Sequence, residues 1–406
     1  MSKSKALVAK IVHNMEGLNR KRKKFMISLF ITLLSFRGRH NFLNLARYGE
    51  YSEKSYRLHY EKPFDFLTFN LNLAVELQIP IKVVAFDPSF IPKSGKHTPN
   101  LDSFWSGTAG KALKGLEIGG LALLDLHSNS AFHLDSVYTP DQDALDKEGK
   151  SRVDYYADWI IKRTYKLPQS VDTLCVDGYF AKQKFILPIL DKTNLHIVCK
   201  MRNDANLYYR YKGPQKTGKG RKKKKGKKVN LKNIDKHILK KVEETDTEII
   251  YEGIVYSVNL KRMVKLCYVK RKKNGKPTGK YAVLFSTNLD HSAKTIFTYY
   301  KSRFQIEFLF RDAKQYTGLT HNQARSEAKM NFHANASLSA INIAKAGYYL
   351  PAENSLSKPF SMANVKTENF NLFLLDFIFC NLDLKHNSHK LKELREIIKD
   401  IGKIAA

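Results

Sequence analysis

The chain has 406 residues, and its 70 Lys and Arg against 38 Asp and Glu give a formal net charge of +32. A chain of this length is expected to form two or three domains with a sizeable core, and a hydrophobic content of 43% fits a folded protein. The positive excess predicts a polyanionic partner, with nucleic acid as the first candidate. A membrane surface is the weaker candidate, because no long basic amphipathic helix is evident.

The cysteines lie far apart and show no C-x2-C spacing, which argues against a zinc site or a disulfide framework. Cys175 and Cys199 occur in apolar runs and are predicted to be buried thiols, which suits a reducing cytoplasm. The apolar run at residues 25–36, which follows the basic residues 20–24, is shorter than the roughly 20 residues that span a bilayer. It is interpreted as a buried helix preceded by a basic arm, with no export.

Residues 1–80 are predicted to form a helical DNA-binding domain. Basic patches alternate there with apolar runs and with a segment rich in Tyr and Arg, and Ser52 could cap one of the helices. Basic and aromatic residues on one surface suit docking to DNA. A plain helical bundle without DNA contact is the alternative.

Residues 81–204 and 291–349 are predicted to form a catalytic core. The first apolar strand ends at Asp87, and two further strands are joined by a turn near Asn129. An amphipathic helix, a strand ending at Asp177, a second helix and a fifth strand follow. This order predicts an α/β fold with an RNase H-like mixed sheet and helices on both of its faces.

Residues 205–290 interrupt the core and are predicted to be a β-rich insertion. Its beginning is basic, since nine of the thirteen residues 216–228 are Lys or Arg, and this stretch is interpreted as a disordered loop that touches phosphate without reading sequence. Residues 350–406 are predicted to be a helical C-terminal region, which is the natural place for dimerisation.

Asp87 and Asp177 are the candidate catalytic acids, because each ends a buried strand and ligands of open α/β sheets gather at such ends. In the predicted sheet the first and fourth strands are adjacent, which would bring these two acids together. An Asp at the end of a strand can also serve only as a cap or turn former, and that alternative remains open.

A later segment without Pro or internal Gly predicts a helix with a polar stripe about 60° wide. The stripe consists of Tyr300, Arg303, Glu307 and Lys314. The apolar residues that flank it are predicted to be buried, and they are Phe304, Ile306, Phe308, Leu309 and Phe310. The alternative is an ordinary amphipathic helix with a solvated face and an Arg303–Glu307 pair.

Glu307 is the candidate third acid. Three carboxylates in one cleft repel each other unless cations neutralise them. Two Mg2+ ions about 3.5–4 Å apart can activate a water or a 3′-hydroxyl and stabilise the leaving oxygen of a phosphoryl transfer. Oxygen ligands without a Cys/His cluster favour Mg2+, or Mn2+ as its substitute, over zinc.

The spacing Y-x2-R-x3-E-x6-K resembles the signature of bacterial DDE transposases in the family named for insertion sequence four. Asp87, Ser89, Lys93 and Gly95 are similar to the first-Asp motif D-x-S-x3-K-x-G of that family. The resemblance extends to the second-Asp motif D-G-x-[FY] at Asp177. It also includes the segment with Arg202 after the fifth strand, and it covers roughly residues 80–345.

The resemblance implies a metal-dependent cut-and-paste DNA transposase, in which Asp87, Asp177 and Glu307 hold two Mg2+ ions. It also implies DNA contacts through five side chains, which are Tyr300, Arg303, Lys314, Lys93 and Arg202. The implied partners are double-stranded DNA with terminal inverted repeats and target DNA, with no membrane.

Joining two transposon ends requires at least a dimer, so a homodimer in the DNA complex is expected, and the predicted location is cytoplasmic and nucleoid-associated. Two alternatives remain. One is an RNase H-like metal-dependent DNA nuclease, and the other is a catalytically retired DNA-binding protein.

Overall fold

The computed structural model describes residues 3–202, 204–215, 217–218, 220–350, 360–382 and 389–404. The helices in these ranges are α1 (Lys3–Asn14), α2 (Arg20–Ser35), α3 (Phe42–Tyr48), α4 (Glu53–Glu61), α5 (Phe66–Glu76), α6 (Gln142–Lys147), α7 (Arg152–Thr164), α8 (Gln183–Lys192), α9 (Ala293–Arg303), α10 (Gln305–Tyr316), α11 (Glu327–Tyr349), α12 (Met362–Asn381) and α13 (His389–Ile398), and a 3-10 helix covers Gly178–Phe180. The strands are β1 (Val83–Pro92), β2 (Asp102–Ser106), β3 (Lys111–Asp125), β4 (Ser130–Tyr138), β5 (Thr173–Val176), β6 (His196–Lys200), β7 (Leu207–Arg210), β8 (Lys225–Lys228), β9 (Lys240–Glu244), β10 (Glu248–Ser257), β11 (Arg262–Lys273) and β12 (Lys276–Ser286).

The chain divides into two compact units. The first contains residues 1–80, 88–142 and 306–406, and the second contains residues 81–87 and 143–305. Both consist of helices and strands, so the protein has the mixed α/β composition expected of an RNase H-like fold. None of the helices in the described ranges is both long enough and apolar enough to cross a membrane.

The second unit is built on a mixed sheet. Val83–Phe86 of β1 pair in parallel with β5, and β5 pairs in parallel with β6. The paired part of β1, strand β5 and the middle of β6 are buried and mostly apolar, as expected for parallel strands that are covered on both faces. The prediction that the strands leading to Asp87 and Asp177 are neighbours is therefore confirmed.

The predicted β-rich insertion continues this sheet. Strand β12 pairs with β6, placing Phe285 opposite Cys199, and the order continues through β11, β10, β7 and β8. The expectation of a disordered basic loop is wrong at its C-terminal end, because Lys225–Lys228 form β8 and pair with β7. Lys216 and Lys219, which belong to the same predicted loop, lie outside the described residues.

The first unit packs helices around α11, whose middle is buried almost throughout. A hydrogen-bonded set of buried polar groups joins α11 to α5 and β4. The Asn342 side chain donates to Asn70 Oδ1 at 2.8 Å and accepts the His133 backbone N–H at 2.9 Å, while Asn70 donates to Ser339 Oγ at 2.9 Å. Residues of the N-terminal region therefore share one core with β4 and α11.

Two N-terminal predictions have different outcomes. Ser52 caps α4, since its hydroxyl accepts the N–H of Ser55 at 3.2 Å. The basic arm, by contrast, is not separate from the buried helix, because α2 begins at Arg20 behind an Asn19 cap. Arg22 is buried there, and its guanidinium donates to the carbonyl of His59 at 2.7 Å, so this basic residue has a structural partner.

The predicted helix that carries the polar stripe is interrupted. Helix α9 ends at Arg303, Phe304 forms a turn with φ of −58° and ψ of −19°, and α10 begins at Gln305. Phe304 and Phe308 are exposed at 48% and 38%, so the expectation that all the flanking apolar residues are buried is wrong for these two. Ile306, Leu309 and Phe310 are buried as expected.

Candidate functional site

The first two candidate acids lie side by side at one end of the parallel strands of the second unit. Phe86 of β1 is paired with Val176 of β5, and Asp87 and Asp177 are the next residues on the two strands. Because parallel strands end at the same edge of a sheet, this register brings the two carboxylates together. Strand β1 continues to Pro92, so Asp87 marks the end of the pairing with β5 and not, as expected, the end of the strand.

Asp177 begins the 3-10 helix that follows β5. Its carboxylate accepts the N–H of Gly178, which is the capping role left open by the sequence. Its backbone carbonyl accepts a hydrogen bond from the buried Cys199 thiol, with an Sγ–O distance of 3.2 Å. Burial raises the pKa of Cys199, and the nearby Asp177 raises it further, so this thiol stays protonated and serves as a donor.

Arg303 forms an ion pair with Asp87, with 3.4 Å between Nη1 and Oδ1. The arginine side chain is only 10% exposed and the aspartate side chain 16% exposed, so the pair is largely shielded from water. The guanidinium carbon also lies 5.6 Å from the ring centroid of Tyr300. Arg303 thus supplies a fixed positive charge beside the first candidate acid.

Tyr300 is half-buried on the same helix as Arg303. Burial raises the pKa of its phenol, while the positive charge of Arg303 partly opposes this effect. The phenol therefore remains protonated at neutral pH and can donate a hydrogen bond.

Glu307 and Lys314 lie on α10 in the first unit. They are seven residues apart, so they occupy the same face of the helix, and Glu307 is in its first turn, where a negative charge is stabilised by the helix dipole. The opposite face is held by buried apolar residues. Among these, Phe310 packs on Gly120 of β3 so closely that a Cβ at position 120 would lie 2.7 Å from the Phe310 ring.

Lys314 connects α10 to the first-Asp motif. Its Nζ donates to Ser89 Oγ at 2.9 Å and to the carbonyl oxygen of Phe90 at 2.7 Å. Burial lowers the pKa of this lysine. The serine of the D-x-S pattern and the lysine of the Y-x2-R-x3-E-x6-K pattern are therefore bonded to each other, a contact that neither pattern predicts.

The two remaining candidate DNA-binding residues already have partners within the protein. In the first unit, Lys93 donates to the backbone carbonyl of Asn322, and burial together with the charge of Arg39 lowers its pKa. In the second unit, the exposed Arg202 holds Asp204 in a two-pronged contact, with 3.0 Å from Nε to Oδ1 and 3.1 Å from Nη2 to Oδ2.

Within the described ranges, no group of three or more His, Cys, Asp or Glu side chains is arranged to hold a metal ion. Asp87 and Asp177 nevertheless bring hard carboxylate oxygens to one edge of the sheet, and such oxygens are the ligands that Mg2+ and Mn2+ prefer. The buried Cys175 and Cys199 belong to the strands behind this edge and confirm the prediction of buried thiols.

Sequence reasoning missed one neighbour of Asp177. Lys182 Nζ lies 3.8 Å from the ring centroid of Tyr179, and the ring is half exposed. The signal was present, since the tyrosine occupies the variable position of the D-G-x-[FY] pattern and the lysine follows three residues later. A cation and an aromatic face therefore stand directly after the second candidate acid.

The transposase DDE domain family matches residues 80–343, which is well over half of the chain. The chain therefore belongs to this family, and the matched segment contains Asp87, Asp177 and Glu307. A comparison with curated proteins gave no match.

Proposed function

We propose that this member of the DDE transposase family performs cut-and-paste transposition and belongs to the group with the Y-R-E-K signature, named for insertion sequence four. The observation that carries the proposal is the register that places Asp87 and Asp177 side by side, with the signature residue Arg303 paired to Asp87. The spacing from Tyr300 to Lys314 supports the assignment to this group.

In the proposed site, Asp87, Asp177 and Glu307 bind two divalent cations, Mg2+ or Mn2+. Such ions supply an activated water or 3′-hydroxyl and stabilise the leaving oxygen of the phosphoryl transfer. The protein contributes the orientation of the carboxylates. The Asp177 backbone is held by Cys199, and Asp87 is held by Arg303, whose charge also offsets the repulsion between the two aspartates.

The proposed DNA contacts involve side chains that already have partners in the protein. Lys314 has three N–H donors, and two of them bond to Ser89 and Phe90, so a contact with phosphate would use the third. The guanidinium of Arg202 donates two N–H groups to the carboxylate of Asp204. The same two groups would fit a phosphate equally well. Tyr300 and Lys93 complete the proposed set together with Arg303, and the net charge of +32 supports binding to DNA as a whole.

We further propose that the partners are the terminal inverted repeats of the element and a target duplex. Joining two ends requires two copies of the protein, so a homodimer in the DNA complex is part of the proposal. The described helices of the predicted C-terminal region, α12 and α13, are the candidate surface for pairing. Residues 351–359, 383–388 and 405–406 of that region lie outside the described residues.

The experiment uses a duplex that carries the DNA flanking the gene and measures cleavage and strand joining with Mg2+ or with a chelator. We expect Glu307→Gln to retain DNA binding and to lose cleavage, because the neutral amide is a much weaker ligand for a hard cation. Glu327→Gln is the matched control, since it makes the same change at an exposed residue of α11 and should cleave normally.

The other outcomes would revise the proposed site or the proposed function. Cleavage that survives in Glu307→Gln would remove this residue from the proposed site. Cleavage by the wild type without any joined product would favour a nuclease. Binding by the wild type without a cut, under Mg2+ and under Mn2+, would favour a retired DNA-binding protein.

A further inference from the structure

The segment that follows α2 is held in the first unit by hydrogen bonds on both sides of Arg39. The side-chain amide of Asn44 donates to the carbonyl of Arg39 at 2.8 Å, and the N–H of Asn41 donates to the same carbonyl at 3.0 Å. The next residue, His40, is 3% exposed, and its backbone N–H donates to His321 Nδ1 at 3.1 Å. The fold therefore fixes the position of Arg39, although its side chain is exposed.

The same contacts bring Arg39 close to the lysine of the first-Asp motif. His321 is followed in the chain by Asn322, whose carbonyl accepts a hydrogen bond from Lys93 Nζ. Burial lowers the pKa values of Lys93 and His321, and the charge of Arg39 lowers both of them further. Three segments that are distant in sequence, one after α2, one after β1 and one after α10, therefore meet at this place.

The two cations at this place have no anionic partner in the part of the chain that the structure describes. Neither Arg39 nor Lys93 forms an ion pair with a carboxylate there, and their like charges repel each other. Arg37 differs, because its guanidinium donates to Thr367 Oγ1 at 3.0 Å and lies 4.9 Å from the ring centroid of Phe370. An anion between Arg39 and Lys93 would remove their repulsion, and phosphate suits both a guanidinium and an ammonium group.

We propose that Arg39 and Lys93 together bind one phosphate of the DNA substrate. This inference rests on the proposed function, and it adds Arg39 and assigns both residues to a single phosphate. The guanidinium can donate two parallel N–H groups, and Lys93 keeps two of its three donors after bonding to Asn322. Because no base is contacted, the site would position the DNA without reading its sequence.

The first test is the salt dependence of DNA binding, measured by anisotropy of labelled flanking DNA at several salt concentrations. The proteins are the wild type, Arg39→Gln, Lys93→Gln and the double variant. Each phosphate that the protein neutralises contributes about 0.9 to the slope of log affinity against log salt concentration. We expect the double variant to lose about 0.9 in total, because a single phosphate is released. A loss of about 1.8 would indicate two separate phosphates and overturn the shared site.

The second test locates the phosphate. A series of flanking duplexes carries one neutral methylphosphonate each, at successive positions of the backbone. At the contacted position we expect the wild type to bind about 10- to 150-fold more weakly and the double variant to show no further loss. If no position affects the wild type more than the double variant, the two cations hold another anion, such as free phosphate, and the proposal is overturned.

Arg37→Gln is the matched control, since it removes the same charge two residues earlier from a side chain that has partners in the protein. It should keep the slope of the wild type, and Arg39→Lys should keep most of it because the charge remains. Unchanged slopes in Arg39→Gln and in the double variant, together with normal cleavage, would refute this phosphate site while leaving the proposed function intact. If the wild type does not bind the flanking DNA, the proposed function fails and the inference fails with it.

Discussion

Arg303 contacts two other residues of the candidate site, Asp87 and Tyr300. Its place in the Y-R-E-K spacing implies a contact with DNA, and in the folded chain it pairs with Asp87, with 3.4 Å between Nη1 and Oδ1. Largely buried charges are stable only when they are paired, so each of these residues supports the placement of the other. If Arg303 also contacts phosphate, as we propose, its guanidinium must serve an aspartate and a phosphate together, which its five N–H donors permit.

The role of Lys314 can be tested through the salt dependence of DNA binding. A lysine that contacts phosphate contributes about 0.9 to the slope of log affinity against log salt concentration. We therefore expect Lys314→Met to lower this slope by about 0.9, and we expect Ser89→Ala, which removes one internal partner of the lysine, to leave it unchanged. The slope is measured by titrating labelled flanking DNA at several salt concentrations. An unchanged slope in Lys314→Met would restrict this lysine to its contacts with Ser89 and Phe90.

At the scale of elements, the turn at Phe304 separates the four signature residues into two pairs. Tyr300 and Arg303 belong to α9, and Glu307 and Lys314 belong to α10, so the stripe is divided between two helices. A periodic pattern of polar and apolar residues continues across such a turn, because the single turn residue keeps a right-handed helical conformation and so preserves the phase of the pattern. Periodicity predicted one continuous helix over this segment, and it could not locate the boundary between the two helices that form.

The packing of α10 on β3 leads to a second prediction. A Cβ added at Gly120 would lie 2.7 Å from the end of the buried Phe310 ring, so the ring or the helix has to move. We expect Gly120→Ala to destabilise the protein by about 1–3 kcal/mol through overpacking. The measurement is the urea concentration at the midpoint of unfolding. Gly107→Ala serves as the control, because a Cβ there meets no atom within 4 Å, and equal midpoints for the two variants would contradict the predicted packing.

At the scale of the whole molecule, buried histidines predict how stability depends on pH. His40, His133 and His333 belong to the first unit and are each less than 5% exposed. Burial lowers their pKa values, to about 3 for His133 and about 4 for His333, and the charge of Lys366 lowers that of His40 further. Below the unfolded pKa of about 6.5, the unfolded chain therefore binds protons that the folded chain does not bind.

We therefore expect stability to be fully present above about pH 6.5 and to fall as the pH is lowered, by up to about 1.4 kcal/mol per pH unit for each buried histidine. Urea unfolding between about pH 7 and about pH 5 measures this slope, within a window that lies above the titration of ordinary carboxylates. His97→Gln, at an exposed histidine, should show the same slope as the wild type. A midpoint that stays constant over this window would contradict the burial of these three side chains in neutral form.

The sequence by itself determined the class of this protein and the identity of its candidate acids. Buried strands that lead to Asp87 and Asp177 could be predicted because apolar runs and polar ends are local properties of the chain. The excess of positive charge follows from the amino-acid composition alone. The family was suggested by short motifs that occur in the right order. The match of residues 80–343 to the transposase DDE domain confirms the assignment to the DDE transposases.

Only the tertiary structure decided which side chains meet. Three contacts illustrate this: the register of β1 and β5, the pair formed by Arg303 and Asp87, and the bond from Lys314 to Ser89. Each joins residues that are 90 or more positions apart in the chain. Such contacts depend on how several elements pack together, since local propensity acts over only a few residues. The burial of Phe104 and the exposure of the adjacent Trp105 are information of the same kind. Strand alternation shows that the two side chains face opposite ways, but only packing determines which face is covered.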